Sequence, residues 1–164
     1  MPLAARQNLV VMNIQMTVSL LATLILCRWL LPDIVQADFA DAIWPVAALH
    51  MFRFIGMTVV MPGQLDDDIT KRAKGLIAVG DLAVALSAVV LAFAITQGGS
   101  EPVLRGLAWV FVLICFADMA VIQRYFIAEQ FWNKKMGVVW LFQVLLSVPM
   151  ILGEVFVLYR LIAG

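Results

Sequence analysis

Five apolar runs follow one another through this chain with only short links between them: residues 8–31, 42–61, 75–95, 103–126 and 137–161. A bilayer core roughly 30 Å thick is crossed by about 20 helical residues rising about 1.5 Å each. Each run reaches that length, and a soluble core built from 164 residues cannot hide all five. Lipid must therefore be the solvent for much of the surface. Composition agrees: 64% of residues are hydrophobic and 13% charged, against about half and a quarter in an ordinary soluble domain. The expectation is an all-α polytopic membrane helix bundle, one integral membrane domain over residues 1–164, with five transmembrane helices. Short links make successive helices antiparallel neighbours, and no internal repeat is evident.

Val35-Gln36-Ala37 resembles a small-residue cleavage site. The apolar run before it is far longer than a secretory signal core and carries Asn13, Gln15 and Thr17, so a retained helix is expected.

Basic residues set the expected orientation. With the N-terminus cytoplasmic, Arg6, Lys71, Arg72, Lys74, Arg124, Lys134 and Lys135 fall inside, and only Arg28, Arg105 and Arg160 outside. Every Lys is then cytoplasmic, as the positive-inside rule requires. Trp29, Trp44, Trp109 and Tyr159 fall near the outer interface, and Trp132, Trp140 and Tyr125 near the inner one, where amphipathic rings prefer to sit. The expected topology is N-terminus cytoplasmic and C-terminus outside.

Other features read as structural. Cys27 and Cys115 sit in separate apolar runs without a metal-type spacing, so no metal site or disulfide framework follows from them. Asp66-Asp67-Asp68 lacks the alternating oxygen ligands and distal Glu of a calcium loop, and reads as a solvated acidic turn. Residues 124–136 mix aromatic and charged side chains, a pattern expected to lie as a short amphipathic segment at the inner interface. A formal charge of zero gives no basic stripe for nucleic acid.

The residues that stand out are ionisable groups inside the apolar runs: His50, Arg53, Asp81, Asp118 and Glu154. A charge at the centre of a membrane helix costs about 2.5–3.5 kcal/mol on insertion scales, so such groups face protein and pair. Counting along the runs places Arg53 near the midplane and both Asp81 and Asp118 on its inner side, so the three could meet in one layer. α-Helical spacing puts His50, Arg53, Met57 and Val60 on one face. It also gives a small-residue stripe of Ala78, Asp81, Ala85, Ala88 and Ala92, suited to close packing. Ala108, Cys115, Asp118 and Ile122 share a face on the fourth run. Trp140, Gln143, Ser147, Met150 and Glu154 form a polar stripe on the fifth.

Two readings of this set compete. In one, Arg53 bridges both aspartates and pins three helices, with His50 held by a hydroxyl or by Glu154. In the other, Arg53 balances only one carboxylate, the second holds a proton, and Glu154, His50, Arg53 with Asp118, then Asp81 form a relay. A ligand site for a lipid head group, quinone or pigment near Arg53 is a third possibility. The candidate polar, ligand or proton site is thus His50, Arg53, Asp81, Asp118, Gln143 and Glu154. No Lys lies within an apolar run to carry a retinal Schiff base, one His cannot provide bis-His haem ligation alone, and no hydrolase, H-E-x-x-H or phosphate-loop motif is present. No cofactor is implied by motif, and no catalytic residue is identified.

The run R-F-I-G from Arg53 to Gly56, then Pro62-Gly63 and Gly80-Asp81, resembles a set of small uncharacterised bacterial inner-membrane proteins. It is also similar to DoxX-like proteins, whose helices carry R-x-x-x-G; here the spacing is one residue shorter and lies in the second run. The resemblance covers about thirty residues by the span of these motifs and implies a multi-pass bacterial inner-membrane location, without an activity. The functional expectation is a non-enzymatic accessory subunit of a membrane assembly or homo-oligomer, with lipid around it and the polar cluster as its clamp. The alternatives are a small proton-linked transporter or channel and a lipid, quinone or pigment binder.

Overall fold

The computed structural model describes residues 3–163; Met1, Pro2 and Gly164, counted in the expected domain, lie outside the described residues. Five α-helices run up and down through the bundle: α1 Leu3–Gln36, α2 Phe39–His50, α3 Lys71–Thr96, α4 Glu101–Ala128 and α5 Gly137–Ala163. α2 continues without a break into a 3-10 helix, Met51–Val60, and a short 3-10 turn, Phe131–Asn133, precedes α5. Five spans are long and apolar enough to cross a membrane, the second being α2 with its 3-10 continuation, Phe39–Val60. These spans define a multi-pass membrane protein.

The expected runs 8–31, 75–95, 103–126 and 137–161 lie inside α1, α3, α4 and α5, whose ends extend beyond them. The expected run 42–61 is corrected in kind, because its second half is not α-helical. Residues 124–136 do not form a separate amphipathic segment. Their first part completes α4, and Phe131 and Met136 turn inward and are buried. Phe131 is tilted against Phe126 with ring centroids 5.7 Å apart. Burial of those apolar groups inside the protein wins over leaving them at the interface.

Side-chain chemistry closes both ends of the bundle. At the end holding Leu3, the link after the 3-10 helix is stitched to the link before α5. The Asp66 N–H donates to the Lys135 carbonyl at 2.9 Å, and the Asp66 carboxylate accepts from the Asp68 and Lys135 N–H groups at 3.1 and 3.2 Å. Those two backbone donors hold the Asp66 carboxyl below the usual carboxylate range. Lys134 Nζ donates to Asp68 at 3.0 Å. Thr70 caps α3 by accepting from the Ala73 N–H at 3.2 Å, while the Thr70 N–H donates to Glu129 at 2.8 Å. A carboxylate at that position also meets the positive end of the helix dipole. At the opposite end Arg160 of α5 donates to the carbonyls of Val35 at 2.9 Å and Ala37 at 3.0 Å, satisfying groups that the end of α1 leaves open.

The interior is layered. One buried apolar cluster, including Ile43, Leu91, Phe111 and Val157, fills the end nearer Ala163. A second, including Val59, Ile69, Ile77 and Phe131, fills the end nearer Leu3. α3 is central: its expected stripe Ala78, Asp81, Ala85, Ala88 and Ala92 is buried throughout, so neighbouring backbones approach closely, as they do where lipid supplies no hydrophobic drive between helices. α1 is peripheral, meeting mainly α5, with Trp140 Nε1 donating to Gln15 at 3.0 Å. Between the two apolar clusters lies a polar layer.

Candidate functional site

The polar layer begins with the 3-10 helix. In a 3-10 helix residues three apart eclipse one another, so His50, Arg53, Gly56 and Val59 line one edge, and all four are buried. The α-helical face expected from sequence, with Met57 and Val60 in place of Gly56 and Val59, is therefore corrected. Val60 is exposed and Met57 only partly covered. The His50–Arg53 pairing is common to both periodicities because a step of three nearly satisfies each.

Arg53 reaches two helices at once. Its Nε donates to Asp81 Oδ1 on α3 at 2.7 Å, its Nη2 pairs with Asp118 Oδ2 on α4, and its Nη1 points to the Met150 sulfur on α5 at 3.9 Å. The expected Arg–Asp–Asp layer is thus present, with Arg53, Asp81 and Asp118 only 8%, 4% and 4% exposed. A planar guanidinium can make this fork where a Lys ammonium, a single point charge, cannot. Two glycines make room for it. A Cβ on Gly56 would occupy the space of the Asp81 carboxylate, and one on Gly80 that of the Asp118 carboxylate.

His50 and Glu154 form the other half of the layer. His50 Nδ1 lies 2.9 Å from the Val46 carbonyl, which only an N–H can satisfy, so Nδ1 carries hydrogen. Nε2 lies 3.1 Å from Glu154 Oε1. One hydrogen between these two atoms makes the contact a hydrogen bond. The ring is fixed edge-on against Phe111, with centroids 5.2 Å apart. Of a hydroxyl and Glu154 as holders for His50, Glu154 is the one present.

Gln143 is not drawn into this network. It lines a cleft that also touches Arg53, Asp81, Ser147 and Glu154. The cleft runs from the polar layer towards Phe131 and Met136, between α5 and the 3-10, α3 and α4 segments. Its volume is about 80 Å³, room for several waters when one needs about 10–15 Å³ by a comparable measure. Its walls are mainly apolar. Two buried carboxylate oxygens, Asp118 Oδ1 and Glu154 Oε2, have no hydrogen-bond partner among the described residues. The polar stripe expected on α5 divides: Met150 and Glu154 face the layer, while Trp140 and Ser147 turn to Gln15 and Met16 of α1.

Cys115 is the member that spacing along the chain did not single out. It is buried and unbridged, and its sulfur lies with His50 and Glu154 in a group whose ligand atoms are all within 4.8 Å of one another. The available signal was its position one turn before Asp118 on the inward face of α4. Cys27 is also unbridged, and only partly covered.

A five-span helix bundle closed around a buried ionic layer defines the class of membrane protein to which the chain belongs. Within that class, the chain belongs to the family described as a domain of unknown function, DUF8737, which matches residues 11–162. No curated protein and no solved structure matches. The likeness to DoxX-like proteins gains no support from these comparisons.

Proposed function

We propose that the chain is a non-enzymatic accessory subunit of a bacterial inner-membrane assembly, or of a homo-oligomer, with its polar layer as an internal clamp. The observation that carries this reading is the fit of Arg53 between Asp81 and Asp118, with Gly56 and Gly80 leaving space for the two carboxylates. The charged groups are consumed inside the bundle, and the perimeter left for partners is apolar helix. α1 in particular presents Ile14, Val18, Leu21 and Ile25 outward. The basic residues at the Leu3 end support placing that end in the cytoplasm. Extraction in native lipid followed by identification of everything that co-purifies tests the proposal. Stoichiometric partner chains or a defined homo-oligomer are expected; a homogeneous monomer with no partner refutes it.

One observation favours a second reading, a small proton-linked transporter or channel. Arg53 brings one positive charge to a layer that holds Asp81, Asp118 and Glu154, and an apolar interior does not tolerate the excess negative charge unless bound protons make it up. The cleft reaches this layer from the Phe131 side, and among the described residues the apolar cluster around Phe111 packs on the other. On this reading Asp118→Asn, folded to the wild-type far-ultraviolet spectrum, abolishes proton-coupled flux in proteoliposomes. Flux at the wild-type rate in that variant eliminates it.

A further inference from the structure

His50, Cys115 and Glu154 come from α2, α4 and α5, yet they bring an imidazole nitrogen, a thiol sulfur and a carboxylate oxygen within 4.8 Å of one another. Their residues are 0%, 1% and 1% exposed. Two features of the surroundings point to a ligand. The bond from His50 Nδ1–H to the Val46 carbonyl at 2.9 Å leaves Nε2 to face the group, and a donated second ring N–H is what orients a metal-binding imidazole. Glu154 Oε2 is buried without a partner among the described residues, although a carboxylate oxygen in an apolar interior is costly to leave unsatisfied.

We propose that His50, Cys115 and Glu154 bind one borderline-soft divalent cation of the zinc type. Nitrogen, sulfur and oxygen donors together suit such an ion and disfavour the all-oxygen preferences of magnesium or calcium. With one sulfur donor, ligand bonds of about 2.0–2.3 Å in a tetrahedral arrangement put donor atoms roughly 3.3–3.6 Å apart. The widest pair, at up to 4.8 Å, closes by about 1 Å, within the reach of side-chain rotation at Cys115. Glu154 also lines the cleft, which gives the ion a route in and leaves a fourth position for water.

The charges balance. With one proton between His50 and Glu154 and another on Cys115, the three groups together are neutral. The ion takes the place of both protons, and its two positive charges are matched by one thiolate and one carboxylate. About two protons leave per ion bound. The exchange adds no net charge to the apolar interior.

The test uses the full chain in lipid nanodiscs, treated with chelator and then titrated with Co²⁺. The expected result is saturation at one ion per chain, with a near-ultraviolet thiolate-to-cobalt charge-transfer band. Release of about two protons per ion in weak buffer and displacement by Zn²⁺ are also expected. Cys115→Ser keeps the size of the side chain and is expected to fold with an unchanged far-ultraviolet spectrum. It should lose the band and bind Co²⁺ about tenfold or more weakly. A folded wild-type chain that shows no thiolate band at saturating Co²⁺ overturns the proposal, as does a Cys115→Ser variant that binds as tightly.

Discussion

Gly80→Ala is a substitution for which two physical arguments give opposite signs. Gly80 lies inside α3, where Ala is favoured over Gly by about 0.8–1.0 kcal/mol in a helix interior. That effect alone makes the variant more stable. The added methyl, however, falls where the Asp118 carboxylate sits, and that carboxylate is held by Arg53. Either α3 and α4 move apart, at an overpacking cost of about 1–3 kcal/mol, or the carboxylate swings away and loses a charge-assisted bond of about 1.5–3 kcal/mol. Set against the helix gain, the net effect runs from about zero to a loss of about 2 kcal/mol. Gly75, also in α3, has nothing within 4 Å of a built Cβ, so Gly75→Ala is expected to gain up to about 1 kcal/mol. Unfolding both variants in mixed micelles, followed by far-ultraviolet circular dichroism, compares them within one helix. Removing the obstruction provides a further check: in an Asp118→Ala background Gly80→Ala should cost nothing, a non-additivity read from the double-mutant cycle. If Gly80→Ala is as stabilising as Gly75→Ala, the close fit around the Asp118 carboxylate is wrong.

Substitutions at three other positions probe separate parts of the structure. Arg53→Lys keeps the charge but loses the fork, and is expected to cost about 1.5–3 kcal/mol; Arg53→Met strands both carboxylates and costs about 3–5 kcal/mol, so equal stability of the Lys variant and wild type in the same micelle titration counts against the bridge. Because the folded chain favours ionised Asp66, its contribution to the loop seam is complete above the ordinary carboxylate pKa of about 3.9 and is lost as pH falls below it. Limited proteolysis of the 61–70 link should accelerate in that acid window, and Asp66→Asn should show the faster cleavage already at neutral pH; identical pH profiles refute the assignment. Arg160→Ala removes the bonds to the Val35 and Ala37 carbonyls and is expected to cost about 1 kcal/mol, with faster cleavage at the α1–α2 turn as the readout and unchanged cleavage as the contrary result.

Much of this architecture was legible in the order of residues. Apolar length located all five spans because lipid imposes a nearly fixed length on each crossing. The meeting of Arg53 with Asp81 and Asp118 followed from depth, since a buried guanidinium restricts where its counter-charges can stand. The face containing Gly56 was not legible: steps of three and of three and a half stay together for one turn and separate only near Met57. Gln143 matched the polar stripe on α5 by spacing, but the stripe serves two neighbours. Cys115 is not legible as a donor because its companions lie on α2 and α5, and contacts between helices leave no local spacing to read. The glycines were visible, but which carboxylate each one shelters depends on the rotation of two helices about their axes.

The 3-10 geometry of Met51–Val60 gives the second span the properties of a screw. Ten residues at a rise of about 2.0 Å extend roughly 20 Å, where an α-helix of the same sequence would extend roughly 15 Å. Each residue is also wound about 20° further than in an α-helix. Relaxing the segment to α pitch would therefore draw its ends together by about 5 Å and unwind the far end by roughly half a turn. Arg53, three residues from the joint with α2, would swing about 60° away from the line to Asp81 and Asp118. The ionic fork thus acts as a pawl: while Arg53 is engaged with both carboxylates, the thread cannot run back.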